Sequence, residues 1–216
     1  MNNSAPRLYL VVGNPASGKD ELIAAVHVIG TYHAEIVRKY ADRQWHPGDE
    51  EELIFQDIES PDGSGVRVPN DEYRLDECDV VYENYGNRYG IDFKMIWDGL
   101  RKGVSQVLVV SNRDAINRIL DEFDSFTVLL YVYSPITSEQ YRKSEIIKQE
   151  KKHAEDSNYQ IDYAYVDERV DNFDMSWKLY EDNLLAFDHV LIYADKQEDL
   201  FDQLFRLFRA YETGQL

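Results

Sequence analysis

The sequence predicts an α/β fold in which a parallel sheet of buried strands carries helices on both faces. Three observations lead there. Short unbroken apolar runs, rich in β-branched side chains, recur at residues 8–12, 107–110, 128–132 and 190–193, the pattern of strands covered on both faces. The segments between them are long enough for helical crossovers. The first run also ends at Gly13 in a glycine-bearing turn that leads into a helical pattern, giving a strand, a loop and a helix in succession.

Leu8, Tyr9, Leu10, Val11 and Val12 have no polar interruption, so this strand is expected at the centre of the sheet. After Asp20, the residues Leu22, Ile23, Val26 and Ile29 recur at helical spacing and Gly30 follows, which predicts a helix from about Gly18 to Gly30. Near the end, Leu200, Phe201, Leu204, Phe205, Phe208 and Tyr211 share one stripe, as a helix packed on the sheet requires. Two stretches break the rhythm. Residues 41–85 are acidic and turn-rich, and the turn sequence at 60–65 between apolar residues 53–55 and 66–68 predicts a hairpin excursion. Residues 136–185 are polar and helical in pattern, with basic residues early. The expectation is a single domain over 1–216: a core of 7–40, 86–135 and 186–213, the excursion 41–85, and a helical region 136–185.

Composition narrows the function. The chain has 216 residues, 44% apolar and 30% charged, enough to bury a core without disulfide or metal staples. Asp and Glu number 41 against 23 Lys and Arg, a net charge of −18 that repels polyphosphate backbones, so nucleic acid is not an expected partner. Cys78 is the one cysteine, which excludes an internal disulfide and a cysteine-rich zinc site. No run reaches the ~18 residues of a membrane span and the first apolar run is too short for a signal peptide, so the expectation is a cytoplasmic protein with no membrane partner and with a homodimer left open. The sixteen tyrosines are dispersed among predicted strands and helices, where packing explains them.

Gly13, Asn14, Pro15, Ala16, Ser17, Gly18, Lys19 and Asp20 match G-x-x-x-x-G-K, a loop whose backbone N–H groups wrap a phosphate, with Lys19 reaching the β- and γ-oxygens and a helix N-terminus behind it. The alternative is an ordinary strand-to-helix turn with a chance lysine, but loop and context agree. ATP with Mg²⁺ is therefore the expected ligand. Asp20 stands where a Ser or Thr hydroxyl normally meets Mg²⁺; its carboxylate is also a hard oxygen ligand, so Asp20 is the candidate metal residue. The strand at 107–111 ends in Ser111 with no acidic residue there.

With that loop in place, further stretches resemble guanylate kinases. Residues 41–49, with Arg43, His46, Gly48 and Asp49, resemble the segment T-T-R-x-P-R-x-G-E whose arginines grip the acceptor phosphate; His46 replaces the second arginine. Residues 86–91 resemble G-x-x-Y-G-[ST], which makes Tyr89 a phosphate-bonding hydroxyl, while Ile91 lacks the final hydroxyl. Val109, Ser111 and Val80 stand where the family carries acidic groups for guanine or the metal. These departures, with the Gly-Lys-Asp of the loop and the run at 107–113, look like the ribose 1,5-bisphosphate phosphokinase branch. The resemblance implies a three-layer P-loop NTPase fold with an acceptor-binding excursion and a helical lid, transferring the γ-phosphoryl group of ATP to a small phosphorylated acceptor, a sugar phosphate or a nucleotide.

It also implies roles. Lys19 holds the transferring group. Arg43, His46, Tyr89, Ser111 and Arg113 are candidates for the acceptor, and Arg142 and Arg169 for closure from the lid. Arg142, Lys143, Lys148, Lys151 and Lys152 form the densest basic patch; its plain alternative is a solvated helix with pairs such as Glu139 and Lys143 at i, i+4. His46 is otherwise a surface residue. Two other functions stay open: a guanylate-kinase-like binding or protein-interaction module that has lost transfer, and a nucleotide-hydrolysing switch, for which no water-positioning residue stands out.

Overall fold

The protein is described from a computed structural model over residues 5–29, 34–43, 45, 49–59, 65–70, 72–135, 139–155, 161, 163–171, 173–194 and 197–216. In chain order the elements are β1 (Leu8–Gly13), α1 (Lys19–Ile29), β2 (Ala34–Ile36), β3 (Lys39–Ala41), a 3-10 turn (Asp49–Glu51), β4 (Leu53–Ile54), β5 (Gln56–Glu59), β6 (Gly65–Val68), α2 (Glu72–Asp76), β7 (Val80–Asn84) and β8 (Asn87–Ile91). Then follow α3 (Phe93–Arg101), β9 (Ser105–Val109), α4 (Arg113–Phe123), β10 (Thr127–Tyr133), α5 (Glu139–Glu155), α6 (Tyr163–Asp171), α7 (Phe173–Asp182), β11 (His189–Ile192) and α8 (Gln197–Glu212).

The main sheet has the order β11, β10, β1, β9, β2, with every neighbouring pair parallel. β1 is the central strand, as its apolar run predicts. Alternation along it divides the core. Leu8, Leu10 and Val12 join Ile96, Ile119 and Phe123 of α3 and α4 on one face, while Tyr9 and Val11 join Leu22, Val26, Leu204 and Phe208 of α1 and α8 on the other. A strand with period-2 side chains and two covered faces has no place for a polar residue. This is the three-layer α/β fold expected from the sequence.

The helices of the first face are closed by side-chain caps. The Asp92 carboxylate accepts from the Lys94 amide at 2.8 Å before α3, and Asn112 accepts from the Ala115 amide at 3.1 Å before α4, each satisfying an N–H that the first turn leaves open.

A second, four-stranded sheet has the order β4, β3, β8, β7. It takes strands from within residues 41–85 and from both flanks of that stretch, since β3 pairs with β8 through Tyr40 and Gly90, and Ala41 and Tyr89. The predicted hairpin is β5 and β6, antiparallel with Glu59 opposite Gly65. It begins at Gln56, because Leu53 and Ile54 pair with β3 instead. Residues 136–185 carry α5, α6 and α7, helical as their pattern suggests. A small core of Ile146, Val166 and Val170 joins α5 to α6 and packs on Ala16 of the loop after β1. No helix among the described residues is long and apolar enough to cross a membrane.

Phe123 is fully buried between Phe93 and Trp97, with ring centroids at 5.1 and 4.8 Å. Phe123→Ala is expected to cost about 3–5 kcal/mol, the range for truncating a buried aromatic that leaves a cavity. The shift of the urea unfolding midpoint checks this, and a change under 1 kcal/mol would contradict the core assignment.

Candidate functional site

The loop from Gly13 to Asp20 follows the C-terminal end of the central strand, where open parallel sheets place their ligands. Its shape needs its glycines. Gly18 has φ +93°, and a Cβ there would meet the Tyr193 ring at 2.5 Å, so both the backbone and the space exclude other residues. A Cβ on Gly13 would sit 2.6 Å from Ser17 Oγ and 2.9 Å from the Val132 carbonyl. The loop closes on itself through the Ser17 amide, which donates to the Asn14 carbonyl at 3.2 Å. Asn14 is 3% exposed, and its Oδ1 accepts from the Tyr131 hydroxyl at 2.8 Å.

Lys19 opens α1 and turns back over this loop. Its ammonium donates to the Gly13 carbonyl at 2.9 Å and to the Asn14 carbonyl. The same Gly13 carbonyl accepts from Ser111 Oγ at 3.1 Å, tying the segment after β9 to the loop. Burial pushes the Lys19 pKa down to about 8; Arg169 and Lys39 push the same way, against Asp20 and Glu52. Burial is the larger cause of this lowering, and a bound anion would offset it by favouring the ammonium.

In front of the loop lies a cavity of about 530 Å³, within the range of small-molecule sites. Pro15 to Asp20 form one wall, and Val109, Val110 and Ser111 come from the C-terminal end of β9 and the residues just after it. The small sheet contributes Lys39, Tyr82, Asn84 and Tyr89, the segment after β3 contributes Arg43, the turn between β7 and β8 contributes Tyr85, and the acidic stretch before β4 adds Asp49, Glu51 and Glu52. The helices α5 and α6 close the far side with Gln149, Glu150, Tyr165 and Arg169. Four cations, Lys19, Lys39, Arg43 and Arg169, thus converge in a chain of net charge −18. Three of them face carboxylates: Lys39 pairs with Glu52, Arg43 with Asp49, and Arg169 with Glu150 at 2.9 Å. Arg169 also donates to Gln149 Oε1 at 3.1 Å. Tyr89 is 7% exposed and stacks on Tyr82 with centroids 5.5 Å apart; burial pushes its phenol well above the usual tyrosine range, which keeps it a hydrogen-bond donor.

Of the residues singled out from the sequence, Pro15 to Asp20, Arg43, Tyr89, Ser111 and Arg169 meet at this cavity. Gly13 and Asn14 stand behind it, shaping the loop. Two are placed elsewhere. Arg113 is exposed on the first turn of α4 and does not line the cavity, because the cap at Asn112 starts the helix there. Arg142 also does not line it. It lies on the stripe of Gln149, but seven residues earlier, or roughly 10 Å along the axis. Lys143 pairs with Asp167 of α6 and Lys148 with Glu145 at 3.4 Å, so these lysines brace helices. Val80 is 1% exposed in the core; Tyr82 and Asn84 of its strand reach the cavity instead. His46 lies outside the described residues.

Sequence reading missed Lys39, Tyr82, Glu52, Glu150 and Tyr165. One signal was present: Lys39, Ala41 and Arg43 recur with period 2, so a strand there puts both cations on one face.

Asp20 is exposed at the cavity wall beside Lys19, a hard oxygen donor that suits Mg²⁺ riding on bound phosphates. Among the described residues there is no group of three or more His, Cys, Asp or Glu that could hold a metal by itself.

No family model matches the sequence, and no curated protein matches it. In structure the chain is similar to a guanylate kinase from Anaplasma phagocytophilum, with 17% identity, a TM-score of 0.57, and coverage of 96% of this chain and 87% of that chain. That likeness shows the fold, which is like that of a guanylate kinase.

Lys19 makes anion binding depend on pH. A bound anion favours the ammonium and raises its pKa, so affinity is complete below about 8 and falls as pH rises through that value. Sulfate, which does not titrate in this range, is the probe. Calorimetry from pH 6.5 to 9.5 is expected to show weakening affinity in the native chain and a flatter profile in Lys19→Met; identical profiles would remove Lys19 from the anion site.

Proposed function

We propose that the protein is an ATP-dependent phosphotransferase that moves the γ-phosphoryl group to the phosphate of a small phosphorylated acceptor, and that the acceptor is a sugar phosphate, as in the ribose 1,5-bisphosphate phosphokinase branch that the sequence resembles. The observation that carries this is the convergence of Lys19 with Arg43, Tyr89 and Arg169 on one cavity at the end of the central strand.

Each residue has a task. Gly13 to Gly18 cradle the donor phosphates with backbone N–H groups at the start of α1. Lys19 neutralises the transferring group, and Asp20 would hold Mg²⁺, which screens the phosphate charges and orients them. Arg43 and the Tyr89 hydroxyl anchor the acceptor phosphate. Arg169, from α6, adds charge from the lid side. The attacking oxygen belongs to an ionised phosphate, so no general base is needed, and catalysis comes from alignment and charge neutralisation.

Guanine has little to bind. Ser111 spends its hydroxyl on the Gly13 carbonyl, Val80 is in the core, and the Glu52 carboxylate is engaged by Lys39.

Three measurements test the reading. Lys19→Ala is expected to abolish transfer with the fold kept, since this ammonium bonds the loop rather than the core; full turnover in a folded variant would rule transfer by this loop out. GMP is expected to be a poor acceptor, and efficient ATP-dependent formation of GDP would overturn the sugar-phosphate assignment. Mg²⁺-ATP at 100 times its Kd stabilises the native state by about 2.7 kcal/mol, roughly 5–10 °C in Tm at this size. Absence of any such shift at millimolar nucleotide would favour an interaction module that has lost transfer.

A further inference from the structure

Tyr85 is held in a backbone conformation that its side chain disfavours. Asn84 and Asn87 face each other across β7 and β8, so Tyr85 and Gly86 form a two-residue hairpin turn, with φ +52° and +68°. Positive φ at both central positions is the signature of a type I′ turn, which selects Asn-Gly, Asp-Gly or Gly-Gly. A bulky aromatic at the first position is an outlier, and strain of this kind persists at functional sites whose surroundings impose it. The surroundings here do so. The Asn87 side-chain amide donates to the Tyr85 carbonyl at 2.7 Å, and a Cβ on Gly86 would meet the Glu168 carboxylate of α6 at 3.3 Å.

The strain places a phenol on the cavity wall. Its ring meets Tyr165 edge to face, with centroids 6.1 Å apart, a packing contact that a phenylalanine would make as well. The hydroxyl is what packing leaves unexplained. Burial pushes the phenol up to about 12, against the pull of Arg169, so it keeps its proton at neutral pH. The Asn84 side chain hydrogen-bonds the phenol in the sense that favours the ionised form, as a donor does. Among the described residues no acceptor takes the O–H hydrogen. Arg169 lies beside this phenol, and Arg169 in turn is near enough to Lys19 to push that ammonium's pKa down. A phosphoryl group reached by Lys19 therefore has Arg169 and Tyr85 on its lid side.

We propose that Tyr85 is a catalytic residue whose hydroxyl donates a hydrogen bond to the terminal phosphoryl group of the donor nucleotide, beside Arg169. In transfer the bond from the γ-phosphorus to its bridging oxygen breaks and the electron pair leaves with ADP. A bond forms to the acceptor phosphate oxygen, and Tyr85 keeps its proton throughout. This rests on the phosphotransferase reading for the identity of the donor. The cost of the turn is then borne for a contact that ATP makes and ADP lacks.

The test is calorimetric binding of Mg²⁺-ATP and Mg²⁺-ADP to the full chain, with transfer to ribose 5-phosphate and ribose 1,5-bisphosphate measured separately. The native protein is expected to bind ATP more tightly than ADP. Tyr85→Phe, which keeps the ring and the packing on Tyr165, should weaken ATP by about tenfold, the low end for a hydrogen bond to a charged group, and leave ADP unchanged. Tyr85→Asn supplies the residue that the turn prefers, so it should lose the same preference while raising the Tm of the free chain. Equal effects on ATP and ADP in Tyr85→Phe, or no effect on either, would overturn the proposal. A lower Tm with the preference kept in Tyr85→Asn would make Tyr85 a strut for α6 and overturn it too. If Tyr85→Phe does not fold, the preference in Tyr85→Asn decides. Transfer with the ATP preference intact in Tyr85→Phe sinks the Tyr85 role alone. A preference lost in that variant, with no transfer to either sugar phosphate by the native chain, keeps the Tyr85 contact and counts against the phosphotransferase reading.

Discussion

The carbonyl oxygen of Gly13 is the junction on which the site depends. It ends the central strand, and it accepts both from Lys19 of α1 and from Ser111 after β9. One acceptor with two lone pairs thereby fixes the loop lysine, the neighbouring strand end and the start of the cavity in a single frame. The frame is rigid because β1 is buried on both faces and hydrogen-bonded on both edges. A larger side chain at residue 13 would strike Ser17 and Val132, so the junction tolerates little change.

Electrostatics then explains why the site lies where it does. A net charge of −18 disfavours an anion over most of the surface. The chain gathers Lys19, Lys39, Arg43 and Arg169 in one cavity and offsets three of them with local carboxylates. Such pairing lowers the cost of burying each charge; Lys19, whose hydrogen-bond partners among the described residues are the uncharged Gly13 and Asn14 carbonyls and the Ser17 hydroxyl, has its pKa pushed down by burial. The helices α5 and α6 complete the enclosure, seated on the loop through Ala16 and on the turn after β7 through Tyr165 and Tyr85, whose rings meet edge to face at 6.1 Å.

The sequence by itself determined the sheet strands with continuous apolar runs, the first and last helices, the hairpin, and the loop from Gly13 to Asp20. Those features are local: a doubly buried strand has to be apolar throughout, and a phosphate cradle has to have its glycines and lysine in fixed order. Tertiary structure decided the rest of the cavity. Lys39 and Arg43 gained meaning only when β3 paired with β8 and set them beside Tyr89. Arg113 and Arg142 lost their expected place because helix start and helix rise, not charge, decide what a side chain reaches. Glu150 and Tyr165 come from a stretch whose polar pattern says helix and nothing about its neighbour. Contacts between residues far apart in the chain leave no periodicity in the sequence, and most of this cavity wall is made of such contacts.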